Sequence, residues 1–210
     1  IVLGMRSLFP WARPEVMAAN PALQGKAPYL NFTFFLARWV GFFLVWTLIT
    51  RFFHGSSTAQ DKSGDFSLTL KMERLAAPSI IAFALSLTFG SVDLLMSLTP
   101  MWYSTIFGVY YFSGAALTFF SFLAITVLYL QRNGRLLSVT PEHFHDLGKL
   151  MFAFVIFWAY IGFSQYMLIW YANIPEETTW FRDRWAGEWK AWSILLIFGH
   201  FVLPFAGLIS

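Results

Sequence analysis

From Leu150 to Ile174 the chain runs 25 residues without a charged side chain. At about 1.5 Å per residue, a helix of that length extends about 37 Å, more than the roughly 30 Å hydrocarbon core of a bilayer. This stretch reads as a membrane-spanning helix with polar chemistry crowded at both ends. His143, His145, Asp146 and Lys149 precede it, and Glu176 and Glu177 follow it. Thr140-Pro141-Glu142 supplies its start signal: a capping hydroxyl, a proline at the first helical position and an acid in the first turn. Tyr160, Ser164, Gln165 and Tyr166 interrupt the apolar run, which a helix serving only as an anchor does not need.

The rest of the chain has the same character. Of 210 residues, 58% are hydrophobic and 12% charged, and the mean hydropathy is +0.60. These values fit an all-α polytopic membrane bundle and not a soluble domain. The net charge of +3 comes from bases scattered between apolar runs, with no basic stripe of the kind that binds nucleic acid. There is no cysteine, which excludes cysteine-ligated iron–sulfur clusters, thiolate zinc sites and disulfides within this sequence. The opening IVLG lacks the charged start of a signal peptide and reads as the last turn of an upstream hydrophobic segment. Ser210 stops inside an apolar run, so the sequence is expected to be a piece of a longer protein.

Five spans are expected, at about 29–53, 75–98, 103–130, 147–173 and 190–210. Residues 5 to 28 read as a proline-rich loop with Phe9 and Trp11 near the membrane surface. Arg38 lies within the first span and is expected to snorkel or to face the bundle interior. The stretch from His54 to Arg74 reads as a polar loop. Asn31-Phe32-Thr33 matches a glycosylation sequon but lies at a helix entrance. In the second span Ser79, Ser86, Asp93 and Ser97 are seven, seven and four residues apart, which places them on one face pointing at other helices. In the third, Gly108, Ala115, Thr118 and Ser121 are small residues that permit close packing. After Pro175, about 175–187 mixes charges with tryptophans and reads as a short interfacial helix. The last span carries His200 near mid-membrane.

Three strings have a familiar form. SVDLLMSLTPMWYSTIFGVYYFSG, HFHDLGKLMFAFVIFWAYIGFSQYMLIWYANIPEE and the closing GHFVLPF resemble the F subunit of bacterial alternative complex III, within the wider NrfD/polysulfide-reductase membrane-subunit family. LFPWARPE and APYLNFTFFLARW match in order and spacing, so the resemblance covers essentially the whole sequence. It implies a ten-helix subunit of a quinol:electron-acceptor oxidoreductase in the bacterial cytoplasmic membrane, of which this piece holds the tail of helix three and helices four to eight. Haem c and iron–sulfur clusters would sit in partner subunits. A quinone, menaquinol or ubiquinol, would meet this chain or a related subunit. The loops around Phe9 and Glu176 would be periplasmic and that around His145 cytoplasmic, in agreement with a weak bias of seven flanking bases against six. Relatives often read S-L-E-P-H-W where this chain has Ser97-Leu98-Thr99-Pro100-Met101-Trp102. Two titratable positions are therefore absent, which weighs against a proton or quinol role for that turn.

The residues themselves leave alternatives open. A carboxylate within a span is costly, so Asp93 serves a pathway, pairs with a structural partner or lies at the membrane surface. His145, Asp146 and Lys149 form an i, i+3/i+4 cluster that is either an interfacial ion pair or a proton entry point. His143 and His145, two apart on a helix, point to different faces and make a poor metal pair. A b-type haem needs a second histidine at the depth of His200, and His54, His143 and His145 lie at helix ends. Glu176 and Glu177 are helix-start acids or proton-exit groups.

Tyr160 and Ser164 follow Asp146 by 14 and 18 residues, about 21 and 27 Å up one helix. With Lys149, His200 and Asp93 they sample the membrane from one side to the other, as a proton relay through waters would require. The structural alternative is that each satisfies a local partner. Three functions compete: a cofactor-free membrane subunit of a quinol-oxidising complex, not catalytic alone; a secondary transporter with Asp93 and His200 at its site; and a purely structural anchor.

The alternation of apolar runs and charged loops puts Ser56–Lys71 and Gln131–Thr140 on one side of the membrane. Cysteines introduced at Ser63 and Ser138 should react with an impermeant thiol reagent from the same face of a sealed vesicle. Reaction from opposite faces would overturn this topology.

Overall fold

In the computed structural model, which describes residues 4–209, every regular element is helical. The expected turn at Ile1–Leu3 and the end of the last run at Ser210 lie outside the described residues. Three short helices come first, α1 (Met5–Leu8), α2 (Pro14–Ala19) and α3 (Pro21–Gln24). The spanning elements are α4 (Phe32–Ser63), α5 (Ser67–Leu94), α6 (Phe107–Arg132) and α7 (Pro141–Ala172). Then come α8 (Pro175–Arg184) and a last span of α9 (Trp189–Ile197), a π-helical turn (Phe198–Val202) and α10 (Leu203–Ile209). Five helices are long and apolar enough to cross a membrane, so this is an all-α, multi-pass membrane protein in contact with the bilayer. The sequence reads as a single membrane piece. Its helices group into two compact units, residues 1–103 and 104–210.

In the first unit, the proline-rich opening folds as a string of helical turns. Pro10, Pro14 and Pro21 each sit in the first turn of one, where the missing N–H costs no bond. Phe9 and Trp11 are buried with Met5, Leu30 and Phe35 in one cluster. The Phe9 and Trp11 rings lie 5.4 and 5.3 Å from Phe35. Asn31, the sequon residue, caps α4 by accepting a bond from the Phe34 N–H at 2.9 Å.

The polar loop expected from His54 is largely helix. α4 continues ten residues past Phe53, because no proline interrupts HGSSTAQDKS and Gln, Asp and Lys are tolerated in a hydrated helix. It stops at Gly64, which takes the left-handed conformation (φ +67°). Asp65 then accepts bonds from the Ser67 N–H and hydroxyl. Those bonds hold its carboxyl below the usual range, so this cap's contribution to stability is present at neutral pH and lost on acidification through the lowered pKa.

The polar face of α5 points where its spacing predicts. Ser86, Asp93 and Ser97 are buried and Ser79 is half-buried. Trp46 of α4 donates its indole N–H to the Ser86 hydroxyl at 2.9 Å.

In the second unit, α6 and α7 run antiparallel. Phe120 stacks on Phe154 (5.5 Å), and Tyr110 packs on Trp158 (5.5 Å). Gly162 allows the Tyr110 approach, since a β-carbon there would stand 3.1 Å from the ring. The packing face of α6 is Phe107, Gly108, Ser113 and Leu117; of the small residues singled out above, Ala115 and Thr118 face outward instead. A Thr140–Pro141 start opens α7 as expected. His143 completes the cap, its Nδ1 accepting from the Thr140 N–H at 3.1 Å. The interfacial helix ends at Arg184, three residues short of the expected limit.

Phe35 lies at the centre of the aromatic cluster, whereas Leu48 of the same helix is exposed. Phe35→Ala should lower unfolding stability in mild detergent by about 3 kcal/mol, and Leu48→Ala by less than about 1 kcal/mol because lipid or detergent refills its place. Equal losses would mean that the opening segment does not pack on α4.

Candidate functional site

Arg38 and Asp93 meet inside the first unit. Arg38 sits in the second turn of α4, and Asp93 near the end of α5. Arg38 Nε donates to Asp93 Oδ2 at 2.7 Å and its Nη2 to Oδ1 at 3.0 Å, a bidentate pair whose carboxylate is fully buried. The remaining terminal nitrogen, Nη1, donates to the Tyr29 carbonyl at 3.0 Å, and the guanidinium lies over the Tyr29 ring at 3.8 Å and the Phe34 ring at 4.4 Å. Ser97, one turn on, returns its hydroxyl to the backbone carbonyl of Asp93. Of the roles open to Asp93, the geometry supplies a structural partner, and Arg38 faces inward. Both carboxylate oxygens are engaged by the one guanidinium, an arrangement that ties α4 to α5.

The Thr99–Trp102 turn is also tied down locally. Lys26 donates its ammonium to the Pro100 carbonyl at 2.7 Å and lies near the Tyr103 ring. Burial lowers the Lys26 pKa.

The second unit holds the other candidates. Lys149 donates to Asp146 Oδ1 at 3.0 Å, an ion pair exposed on both sides, with His145 also exposed one residue before the acid. His143 is engaged in the helix cap. Glu176 and Glu177 occupy the first turn of α8, the former exposed and the latter half-buried. Tyr160 is 65% exposed and Ser164 half-buried, whereas the buried stripe of α7 is Val155, Trp158, Ile161, Gln165 and Ile169. Among the described residues no three His, Asp or Glu side chains gather as a metal set.

His200 is the candidate with the most unusual setting. It is the central residue of the π-helical turn, four residues before Pro204, whose missing N–H deprives that turn of its ordinary i→i−4 bond. Its ring meets Trp158 edge-on at 4.6 Å, and Nε2 is buried without a hydrogen-bond partner among the described residues. Gln165 Nε2, two turns along α7 from Trp158, is in the same condition. Two unpaired polar atoms on facing spans are costly unless water or a proton donor reaches them. Beside them opens a cleft of about 710 Å³, lined by Tyr110, Trp158, Tyr160, Tyr166, Phe181, Arg184 and further apolar residues. Its size falls within the range of small-molecule sites.

The structure therefore brings Asp93 to Arg38, Asp146 to Lys149 and His200 to Trp158. Compared with known proteins, the sequence matches no family model and no curated relative.

Sequence reasoning left Arg38 either to snorkel or to face the interior and did not find its partner. The signal was there: a basic residue well inside the first span and the one acidic residue of the second are costly apart and compensate each other together. It missed Trp158 and the cleft entirely, since one tryptophan among ten carries no mark in the sequence.

Removing either member of the buried pair strands the other. Asp93→Asn and Arg38→Gln should each cost about 3–5 kcal/mol of stability in detergent, while Arg38→Met combined with Asp93→Leu should recover most of the loss. A double-mutant cycle by thermal unfolding checks this. Additive losses would show that the two side chains are not coupled.

Proposed function

We propose that this chain is a cofactor-free membrane subunit of a respiratory quinol:electron-acceptor oxidoreductase of the alternative complex III kind. It anchors the complex in the bacterial cytoplasmic membrane and contributes to proton transfer. The observation that carries this reading is the set of long strings, HFHDLGKLMFAFVIFWAYIGFSQYMLIWYANIPEE foremost, that resemble the F subunit in order and spacing across the sequence.

Other features support it. The sequence has no cysteine to hold a cluster, and of its four histidines only His200 lies within the apolar part of a span, which suits a subunit without an electron carrier of its own. The work left to it is mechanical and protonic. Haem c and iron–sulfur clusters belong, on this reading, to partner subunits, and quinol to this chain or a related one. For protons, His200 and Gln165 are the mid-span groups with open hydrogen-bonding capacity, and the His145–Asp146–Lys149 cluster is a hydrated mouth. Asp93, locked to Arg38, acts as a structural brace.

Secondary transport is the second reading. The observation that favours it is the interrupted last span, with its π turn and Pro204, a kind of break that transporters use near substrate sites.

Purification from native membrane in mild detergent separates the two. The first reading expects co-elution with haem c and iron–sulfur subunits and no Soret band from this chain once isolated. A lone protein that moves a solute in liposomes would support the second. Within the complex, His200→Phe should lower protons moved per electron by more than it lowers quinol oxidation, while the Arg38→Met/Asp93→Leu pair should leave that ratio unchanged. An unaltered ratio in His200→Phe, with normal assembly, would make the polar residues structural.

A further inference from the structure

The cleft of the second unit contains one residue that its apolar walls do not require. Arg184, the last residue of α8, lines it half-buried, and among the described residues no carboxylate forms an ion pair with it. Its Nη1 donates to the Trp180 carbonyl at 3.0 Å, and the guanidinium stacks on the Trp180 ring at 3.4 Å. These contacts fix the plane of the group and leave most of its five donors open. Ser193 of α9 donates to the Arg184 carbonyl at 2.9 Å, which pins the end of α8 against the last span. Burial pushes the guanidinium pKa down, so the cation is partly desolvated and gains most from an anion.

Position decides which anion. α8 follows directly on α7, which ends at Ala172, so Arg184 stands at the membrane surface among Trp180 and Trp185, at the depth of an aromatic belt. From there the cleft descends along α7 past Tyr166 to Trp158, 14 residues or about 21 Å below Ala172. A polar cation at the top and an apolar, aromatic channel beneath it fit a molecule with an anionic head and a hydrocarbon tail. A guanidinium binds phosphate oxygens in a fork of charge-assisted bonds, which a neutral carbonyl does not repay equally.

We propose that this cleft binds an anionic phospholipid, its phosphate held by Arg184 and an acyl chain lying along α7 toward Trp158. This rests on the membrane-spanning fold alone and not on the respiratory reading above.

Native mass spectrometry of the full chain, titrated with phosphatidylglycerol or with phosphatidylcholine of the same acyl chains, tests it. Wild type should retain phosphatidylglycerol about fivefold better, equivalent to about 1 kcal/mol for one basic side chain at the membrane surface. Arg184→Gln should bring the two lipids to parity, and Arg184→Lys should keep part of the preference. Arg182→Gln, on an exposed position of α8, should change nothing. Ala159→Trp, which fills the channel below an intact Arg184, should lose the phosphatidylglycerol adduct. Parity in wild type, a preference that survives Arg184→Gln, an adduct indifferent to Ala159→Trp, or displacement by an equimolar neutral quinone would each overturn the proposal.

Discussion

A backbone amide in hydrocarbon has no water to bond, and this protein is built around that fact. Each unsatisfied N–H or C=O costs several kcal/mol, so a chain this apolar is confined to helices wherever it meets lipid. The consequence is visible at the ends of the helices, where the termini would otherwise expose free groups. Asn31, Asp65 and the Thr140–His143 pair cap starts, and Gly64, Gly134 and Asn173 take left-handed conformations at ends. The same constraint explains the internal hydroxyls. Ser91, Ser113, Thr118, Ser121 and Thr126 each donate to a carbonyl three or four residues back, returning their polarity to their own helix. Helix interruptions are then costly, which is why the π turn at Phe198–Val202 stands out.

The fold was legible because it follows from that constraint. A run of about 20 predominantly apolar residues with few charges has one structural outcome in a bilayer, and the apolar runs of this sequence placed all five spans. The boundaries drifted where hydropathy stopped being informative. Beyond Phe53 the sequence turns polar, which marks the edge of the hydrocarbon and not the end of the helix, and α4 carries on to Ser63. In the opening 28 residues, proline suggested a loop. It instead set the starts of short helices, because a proline in the first turn gives up no bond.

The site was legible only in part, for a different reason. Charged residues inside spans announce themselves, so Asp93, Arg38 and His200 could be picked out one by one. Their partners depend on which face of which helix lies opposite, and periodicity gives faces without neighbours. The serine face of α5 pointed inward because serines at heptad-like spacing resist lipid, yet nothing in that spacing selects Trp46 to meet Ser86. Aromatic residues are the extreme case. Phe, Trp and Tyr serve lipid contact, core packing and clefts alike, so Trp158 could not be told from Trp170, although the first is buried against His200 and the second is 65% exposed.

The Arg38–Asp93 pair and the wall around the second unit's cleft handle polarity in opposite ways, although the first unit has buried donors of its own, at Trp11, Arg13, Tyr29 and Trp39, without a partner among the described residues. Around Arg38 and Asp93 the donors find acceptors: two bonds to the carboxylate, one to the Tyr29 carbonyl, and aromatic faces on the guanidinium. Such an arrangement resists change, since any rearrangement would expose a buried charge, and it suits a brace between α4 and α5. Around the cleft of the second unit some donors are left open. Gln165 and His200 each carry a buried nitrogen with no partner among the described residues, and Arg184 offers most of its donors to a cleft. An open donor in an apolar wall is tolerated where something comes and goes: a water, a proton, a lipid head or a ligand. The closed pair is therefore where stability should be read, and the open donors that stand beside a cleft are where function should be sought.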